Sequence, residues 1–384
     1  MKWSGKRYDT GQCVEVTASG GKIAAIDPIA YDGKLPWLSP GWIDLQVNGF
    51  AGCDLNGDAT DPEEVLGVTK AMFACGVTGY LPTVITGSFE RIHQALTAIK
   101  QAIASGEDSA GAICGIHVEG PYLSGEDGPR GAHDRRHIRD PDLKEFDRWQ
   151  EASGGMIKLV TIAPERQGAP AFVRELTNEG VAVSIGHTMA TAAQIEAAVA
   201  AGASLSTHLG NGAHPVLPRH PNYIWDQLAE DGLQAMFIAD GHHLPANTLK
   251  AMMRAKRDRF IIVSDCVKFG GMAPGVYKSL IGSEVELLPN GRLQTAANPA
   301  ILAGSAQSID RGVENAVKLA GLSLKEAVEA VTLRPAAAVG LRHCGKLEPG
   351  ADASLTLFDF SEGAGKLSVR ETVLKGKTVF KQTP

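Results

Sequence analysis

The sequence predicts an α/β protein: a (β/α)8 TIM-type barrel with a small β-sandwich subdomain formed by both termini. Short runs rich in β-branched residues alternate with alanine-rich, helix-like segments, and most of these runs are continuous apolar blocks. The two ends of the chain depart from this rhythm. We place the barrel at residues 40–342 and the β subdomain at residues 1–39 and 343–384.

Eight runs are expected to form the barrel strands. Blocks such as Ile-Lys-Leu-Val-Thr-Ile are typical of strands buried on both faces, as in a parallel sheet, and eight of them with interleaved helices match the barrel. The predicted strands are Gly41–Asn48, Gly76–Val84, Gly111–Glu119, Met156–Ala163, Val181–His187, Ser204–Leu209, Leu233–Asp240 and Phe260–Asp265.

Helices are predicted between these strands and after the last one. Asp61 is a plausible N-cap for the first, and Gly202 follows the alanine-rich fourth. The predicted helices cover residues 62–75, 88–105, 170–180, 191–201, 305–320 and 323–333. Residues 276–300 read as an insertion after the eighth strand, with a hairpin turn at Asn290-Gly291.

The two ends of the chain carry short strand-like segments instead of this alternation. These segments cover residues 13–17, 22–26, 353–358, 368–374 and 378–381. Turn-forming glycine and proline separate them, so we expect one β subdomain built from both termini.

Composition and charge exclude several classes of function. The 384 residues contain 37 Lys and Arg and 43 Asp and Glu, a formal net charge of −6. Nucleic-acid-binding proteins usually carry a basic stripe and membrane anchors a polybasic segment, so we expect neither partner. The N-terminus lacks the apolar core of a signal peptide, and the six cysteines are scattered without a C-x-x-C pair. We therefore expect a cytoplasmic protein with reduced thiols.

Polar residues stand at the predicted carboxyl ends of six strands, where barrel enzymes carry their active sites. Glu119, His187 and His208 end the third, fifth and sixth strands. One carboxylate and two imidazoles would leave a fourth position of a catalytic zinc ion open for water. The alternative is an ion-paired carboxylate with two structural histidines.

Asp265 ends the eighth strand and could act as the general base. A metal ion lowers the pKa of a water toward about 7, so a nearby carboxylate can take its proton and return it to a leaving amine. Asp265 could instead cap a helix, but the residues that follow it, 266–272, do not resemble one.

Several motifs together resemble the N-acetylglucosamine-6-phosphate deacetylase family of the amidohydrolase superfamily. They cover nearly the whole chain, roughly residues 20–380, and the most distinctive are Glu-Gly-Pro and Thr-His-Leu-x-Asn. The motifs are Pro-Gly-Trp-Ile-Asp-Leu-Gln-Val-Asn-Gly at 40–49, His-Val-Glu-Gly-Pro at 117–121, Gly-His-Thr at 186–188, Ser-Thr-His-Leu-x-Asn at 206–211, Asp-Gly-x-His at 240–243 and Val-Ser-Asp at 263–265.

The resemblance implies a role for each matching residue. Glu119, His187 and His208 would bind one divalent metal ion, usually zinc, and Asp265 would be the general base and acid. His133 would contact the acetamido group and polarise its carbonyl. Four further residues would bind the substrate: Asn211, Gly212, His243 and Arg219. Of these, Arg219 would bind the substrate phosphate in the neighbouring subunit of a homodimer.

The residues of the first predicted barrel strand differ from those of many amidohydrolases at two positions. Gln46 and Asn48 occupy positions where those enzymes place two histidines for a second metal. Neutral amides are poor zinc ligands, so a mononuclear site is expected. Gly210 also stands where the family usually has the bulkier Phe, and His214 is an added histidine; both changes reshape the predicted sugar pocket.

The sequence therefore predicts a metal-dependent hydrolase that converts N-acetylglucosamine-6-phosphate to glucosamine-6-phosphate and acetate. One alternative is a related amidohydrolase that acts on a non-phosphorylated N-acyl sugar or a cyclic amide. Another is a non-catalytic barrel that binds sugar phosphates, because a fold alone does not establish activity.

Overall fold

The computed structural model describes residues 1–106, 108–278, 284–361 and 365–383. The described residues contain twenty strands, numbered in chain order. They are β1 (Lys2–Arg7), β2 (Cys13–Ser19), β3 (Lys22–Pro28), β4 (Trp37–Pro40), β5 (Trp42–Val47), β6 (Gly49–Phe50), β7 (Cys53–Asp54), β8 (Val77–Ile85), β9 (Ile116–Glu119), β10 (Ile157–Ile162), β11 (Ala182–Ile185), β12 (Leu205–Ser206), β13 (Gln234–Ile238), β14 (Phe260–Val263), β15 (Gly275–Lys278), β16 (Glu284–Leu287), β17 (Leu293–Thr295), β18 (Leu355–Ser361), β19 (Lys366–Leu374) and β20 (Lys377–Lys381).

Eight parallel strands form the predicted barrel. Their order is β5-β8-β9-β10-β11-β12-β13-β14, so strands consecutive in the barrel motif are neighbours in space. The ends of β14 and β5 meet through backbone hydrogen bonds: Asp265 N donates to Gln46 O at 2.9 Å and Asn48 N to Cys266 O at 2.8 Å. The (β/α)8 prediction is confirmed.

The barrel strands are buried on both faces, as their apolar composition predicts. On β14, Ile261 and Val263 belong to the cluster that fills the barrel interior, whereas Ile262 packs in the outer cluster against the helices. The interior cluster also includes Leu45, Leu81, Leu159, Leu205 and Met236. The barrel is therefore a packed core and not a pore.

The helices surround the barrel, and local capping explains where several of them begin. Asp61 accepts a hydrogen bond from Glu64 N at 2.9 Å, and Ser88 accepts one from Arg91 N at 3.1 Å. The helices are α1 (Pro62–Phe73), α2 (Phe89–Ala104), α3 (Leu143–Ser153), α4 (Ala169–Asn178), α5 (Ala192–Ala200), α6 (Tyr223–Ala229), α7 (Ala246–Lys256), α8 (Ile309–Lys318), α9 (Leu324–Glu329) and α10 (Leu333–Ala338).

Two expectations about these elements need correction. The third barrel strand does not begin at Gly111, because residues Asp108–Ala112 form a 3-10 turn and β9 starts at Ile116. The helix α3 was missed, although Phe146 and Trp149, three residues apart and both buried, are the apolar pair of an amphipathic helix. The helices α6, α7 and α10 were also missed.

Both termini contribute to one seven-stranded sheet, which is the predicted β subdomain. Its order is β20-β19-β18-β4-β1-β2-β3, so β4 from the N-terminal part pairs with β18 from the C-terminal part. Apolar side chains from both segments, including Val16, Leu38 and Leu355, pack in a cluster of their own. The subdomain contacts the barrel through Thr356, whose hydroxyl donates to Gly76 O at 2.7 Å.

The predicted insertion forms a three-stranded antiparallel sheet of β15, β16 and β17. Residues 279–283 of the predicted segment lie outside the described residues. Gly291 occupies the turn between β16 and β17 with a φ of +80°, a conformation that favours glycine. In the described part of the chain, no helix combines the length and the apolar character needed to cross a membrane.

Leu159 lies on β10 at the centre of the barrel interior and is fully buried. We expect Leu159→Ala to lower the free energy of unfolding by about 2–5 kcal/mol, because truncation leaves a cavity in a packed core. Urea unfolding followed by circular dichroism measures the change. Leu143→Ala, at an exposed position on α3, is the matched control. Equal losses in the two variants would contradict the assignment of Leu159 to the core.

Candidate metal centre and active site

The candidate site lies at the carboxyl ends of the barrel strands. Glu119 is the last residue of β9, and His187, His208 and Asp265 each follow their strand by two residues. The φ values of His187, His208 and Asp265 are positive, at 49°, 30° and 49°. L-residues rarely adopt this left-handed conformation, and such backbone strain concentrates at functional sites.

Glu119, His187 and His208 converge in a buried cluster. Glu119 Oε1 lies 3.1 Å from His208 Nε2 and 3.4 Å from His187 Nε2, and the two Nε2 atoms are 3.0 Å apart. The three residues are 3%, 8% and 3% exposed. Glu119, His187 and His133 also offer ligand atoms within 4.8 Å of one another, so the chain has a potential Glu/His/His metal site.

Electrostatics couple the carboxylate to the imidazoles. Burial by itself would raise the pKa of Glu119, but hydrogen bonds from His187 and His208 hold that pKa well below its usual value. Burial opposes the charged form of His208 as well, whereas its hydrogen bond to Glu119 raises its pKa overall. A buried anion surrounded by imidazole nitrogens is a site where a cation can bind.

Neighbouring groups orient the cluster toward a common point. His187 Nδ1 donates to Pro129 O at 2.7 Å, which leaves Nε2 free to face Glu119. Gln46 Nε2 donates to Glu119 Oε1 at 3.0 Å. Nδ1 of His208 is buried without a protein partner. The donor set of one carboxylate and imidazole nitrogens fits a divalent transition metal ion.

Asp265 faces the same cavity from the end of β14. Asn48 Nδ2 donates to its Oδ1 at 2.7 Å. Desolvation and the nearby charge of Glu119 raise the pKa of Asp265 to about 6. A carboxylate with a pKa close to neutrality can both accept and return a proton.

His133 lies against the cluster. Its Nε2 is 3.2 Å from His187 Nε2, and its ring is 6% exposed. Burial lowers the pKa of His133 to about 3, with the charge of His187 as the next cause, so the ring is neutral at physiological pH. A neutral imidazole can donate a hydrogen bond or bind a metal ion.

A cavity of about 530 Å³ lies above this cluster. Three of the four predicted substrate residues line it. They are Asn211, Gly212 and His243. Gly212 has a φ of +57°, and a Cβ there would lie 2.6 Å from His187 Nδ1, so only glycine fits. His243 Nδ1 donates to Asp240 Oδ2 at 2.7 Å. The fourth residue, Arg219, is exposed and lies outside the cavity lining.

Sequence reasoning missed several residues of this cavity. Lys268 lies in the lining and pairs with Asp54 at 3.3 Å, and Asn56 also contributes. The apolar part of the lining is formed by Ile85, Ile238, Val267, Phe269 and Leu302. Lys268 follows Asp265 by only three residues, in a segment that does not resemble a helix. This closeness to Asp265 was the one signal in the sequence that could have placed Lys268 in the site.

The contacts of His117 are structural. It is fully buried on β9, its Nδ1 lies 3.2 Å from Leu45 O, and its Nε2 lies 2.8 Å from Thr161 Oγ1. Burial lowers its pKa to about 4. Both ring nitrogens are therefore occupied by protein partners away from the metal site.

The sequence matches the model of the Amidohydrolase family over residues 37–379. This chain belongs to the amidohydrolase family. It is 34% identical over 351 residues to N-acetylgalactosamine-6-phosphate deacetylase from Escherichia coli O157:H7, covering 90% of both chains. It is also 34% identical to N-acetylglucosamine-6-phosphate deacetylase from Bos taurus, covering 89% of this chain and 83% of the relative.

A solved structure agrees with this assignment over the whole fold. A variant of N-acetyl-D-glucosamine-6-phosphate deacetylase from Mycobacterium smegmatis, in complex with N-acetyl-D-glucosamine-6-phosphate, superimposes with a TM-score of 0.86 at 28% identity. The match covers 99% of each chain. The chain therefore belongs to the N-acetylglucosamine-6-phosphate deacetylase family that its motifs predicted.

We expect His208→Ala to lower the affinity for metal by at least on the order of 100-fold. The loss of a residue that only hydrogen-bonds to a metal ligand already lowers metal affinity by about 10–100-fold, and His208 is a proposed ligand itself. Zinc titration of metal-stripped protein against a chromophoric chelator measures the affinity. His93→Ala, on the exposed face of α2, is the control and should bind metal as the unmodified protein does. Unchanged affinity in His208→Ala would remove this residue from the ligand set.

Proposed function

We propose that this protein hydrolyses the acetamide of N-acetylglucosamine-6-phosphate to glucosamine-6-phosphate and acetate. The observation that carries this proposal is the buried cluster of Glu119, His187 and His208 with Asp265 in the same cavity. The names of relatives that match about nine-tenths of the chain support the substrate class. They favour a phosphorylated N-acetyl sugar over a cyclic amide.

Glu119, His187 and His208 would hold one divalent cation, which we propose is zinc. Their nitrogen and oxygen donors suit this ion. A single ion is favoured because Gln46 and Asn48 are neutral amides already donating to Glu119 and Asp265. When bound, such an ion supplies a Lewis acid that polarises a carbonyl and lowers the pKa of a water.

Asp265 would take a proton from the attacking water and pass it to the departing amine. The hydrogen bond from Asn48 holds Oδ1 and leaves Oδ2 for this transfer. A pKa of about 6 suits both halves of the cycle. His133, neutral and beside His187, would donate to the oxygen of the acetamide as negative charge develops there.

The sugar would lie against Asn211, Gly212 and His243 in the cavity. Arg219 is exposed and outside the cavity lining, so we propose that it reaches the phosphate of a substrate in the neighbouring subunit of a homodimer. A guanidinium offers paired donors that match phosphate oxygens. We also propose a cytoplasmic location, which fits six cysteines that are all free thiols.

N-acetylgalactosamine-6-phosphate is a second candidate substrate. The relative from Escherichia coli O157:H7 carries that substrate in its name and is as similar to this chain as the N-acetylglucosamine-6-phosphate enzyme from Bos taurus. Acetate release from both phosphorylated sugars and from free N-acetylglucosamine, compared as kcat/KM, ranks the candidates. Faster turnover of the free sugar than of either phosphate would contradict the proposed substrate class.

We expect Asp265→Asn to lower kcat by about 10²–10⁴-fold, because the amide cannot accept the proton of the water. The metal content should stay at the level of the unmodified protein, since Asp265 is not in the proposed ligand set. Asp258→Asn, at an exposed position after α7, is the matched control and should keep full activity. Retention of most activity in Asp265→Asn would exclude it as the general base.

We expect Arg219→Ala to lower kcat/KM for the phosphorylated substrate by about 10–100-fold, the value of one charge-assisted hydrogen bond. Turnover of the free sugar should change little. If Arg219 serves the partner's site, mixing the Arg219→Ala and Asp265→Asn variants should raise kcat/KM for the phosphorylated substrate above that of either variant alone, because each mixed dimer contains one complete site. Absence of complementation in a verified mixed dimer would place Arg219 outside a shared site.

A further inference from the structure

Two cysteines lie together at the end of the barrel opposite the candidate active site. Cys114 precedes β9 and Cys344 follows α10, and both line a cavity of about 210 Å³ between the barrel and the β subdomain. Both side chains are half-buried. Although 230 positions separate them in the chain, the closure of the barrel against the C-terminal segment brings them to one place.

The two thiols are fixed by neighbouring groups. Cys114 N donates to Tyr80 O at 3.0 Å, which ties this residue to the adjacent strand β8. Cys344 Sγ lies 3.5 Å from Asp352 Oδ2, and the other oxygen of Asp352 pairs with Lys22 Nζ at 2.6 Å. Cys114 Sγ donates to Ala112 O at 3.5 Å, and both cysteines line the same cavity. The two thiols are therefore neighbours in the folded chain.

The surroundings make the two sulfur atoms chemically different. The interaction with Cys344 lowers the pKa of Cys114, and the charge of Lys375, which lines the same cavity, acts in the same direction against burial. The interaction with Cys114, burial and the charge of Asp352 raise the pKa of Cys344. The thiolate is the reactive form of cysteine, so Cys114 is the nucleophile of the pair.

We propose that Cys114 and Cys344 form a dithiol modification site that hydroperoxides oxidise to a disulfide between the barrel and the C-terminal segment. Both cysteines line one cavity, and its volume of about 210 Å³ is larger than a hydrogen peroxide molecule. This site is independent of the proposed deacetylation, because Cys114 lies at the amino end of β9 and Glu119 at its carboxyl end.

The proposed reaction has two balanced steps. The Cys114 thiolate attacks one oxygen of the peroxide, the O–O bond breaks, and Cys114 becomes a sulfenic acid as hydroxide leaves. The Cys344 sulfur then attacks the sulfenic sulfur, and its proton leaves with the hydroxyl group as water. The two cysteines lose two electrons in total, and the hydroperoxide accepts them.

The other cysteines provide internal comparisons. Cys13, Cys75 and Cys266 are buried. Cys53 is half-buried as Cys114 is, but burial and nearby carboxylates raise its pKa. Exposure alone would make Cys53 and Cys114 equally reactive, whereas the proposal predicts that Cys114 reacts first.

The experiment treats the folded, full-length protein with hydrogen peroxide and follows free thiols, intact mass and the peptide map. We expect the loss of two thiols and of the mass of two hydrogen atoms, with one disulfide-linked peptide pair containing Cys114 and Cys344. Cys344→Ser should instead accumulate a sulfenic acid at Cys114 that dimedone traps. Cys114→Ser should form neither product, and the control Cys53→Ser should form the disulfide as the unmodified protein does.

A second pair of variants tests the role of the lysine without removing either thiol. Lys375→Met should slow sulfenic acid formation several-fold at neutral pH, and Lys375→Arg should restore the rate, because only the positive charge is required. Circular dichroism before and after oxidation verifies that each variant is folded. Oxidation at Cys53 before Cys114, or no linked peptide from folded protein after peroxide treatment, would overturn the proposal.

Discussion

The carboxylate of Glu119 is the constraint on which the candidate site depends. Its Oε1 atom lies within 3.4 Å of two imidazole nitrogens, and all three side chains are almost fully buried. A buried anion is costly unless positive charge or donors surround it. The cluster therefore needs positive charge beside Glu119. The carboxyl ends of three separate barrel strands must meet to provide this arrangement.

The first barrel strand supports both carboxylates of the site. Gln46 donates to Glu119, and Asn48 donates to Asp265. Amides at these positions are weak metal ligands, but they are good donors, so they orient the two acids without adding charge. The left-handed backbone at His187, His208 and Asp265 also directs side chains into the cavity. Barrel closure between β14 and β5 maintains this geometry, since it joins Gln46 to Asp265 through the backbone.

The β subdomain connects both ends of the chain to the amino end of the barrel. The pairing of β4 with β18 closes a sheet from segments more than three hundred positions apart, and Thr356 ties this sheet to Gly76. The same packing brings Cys114 beside Cys344. The two ends of the barrel thus carry different groups: the candidate metal site with its proposed general base at one end, and the two cysteines of the proposed modification site at the other.

The sequence by itself determined the barrel, the β subdomain and most of the polar residues at the strand ends, because strand burial and catalytic motifs are local patterns. It also predicted that Glu119, His187 and His208 form one site, and the three side chains do converge. Only the tertiary structure brought His133 to 3.2 Å from His187, placed Lys268 in the cavity and left Arg219 outside it. Loop paths depend on packing between distant segments, and a local pattern does not encode those contacts.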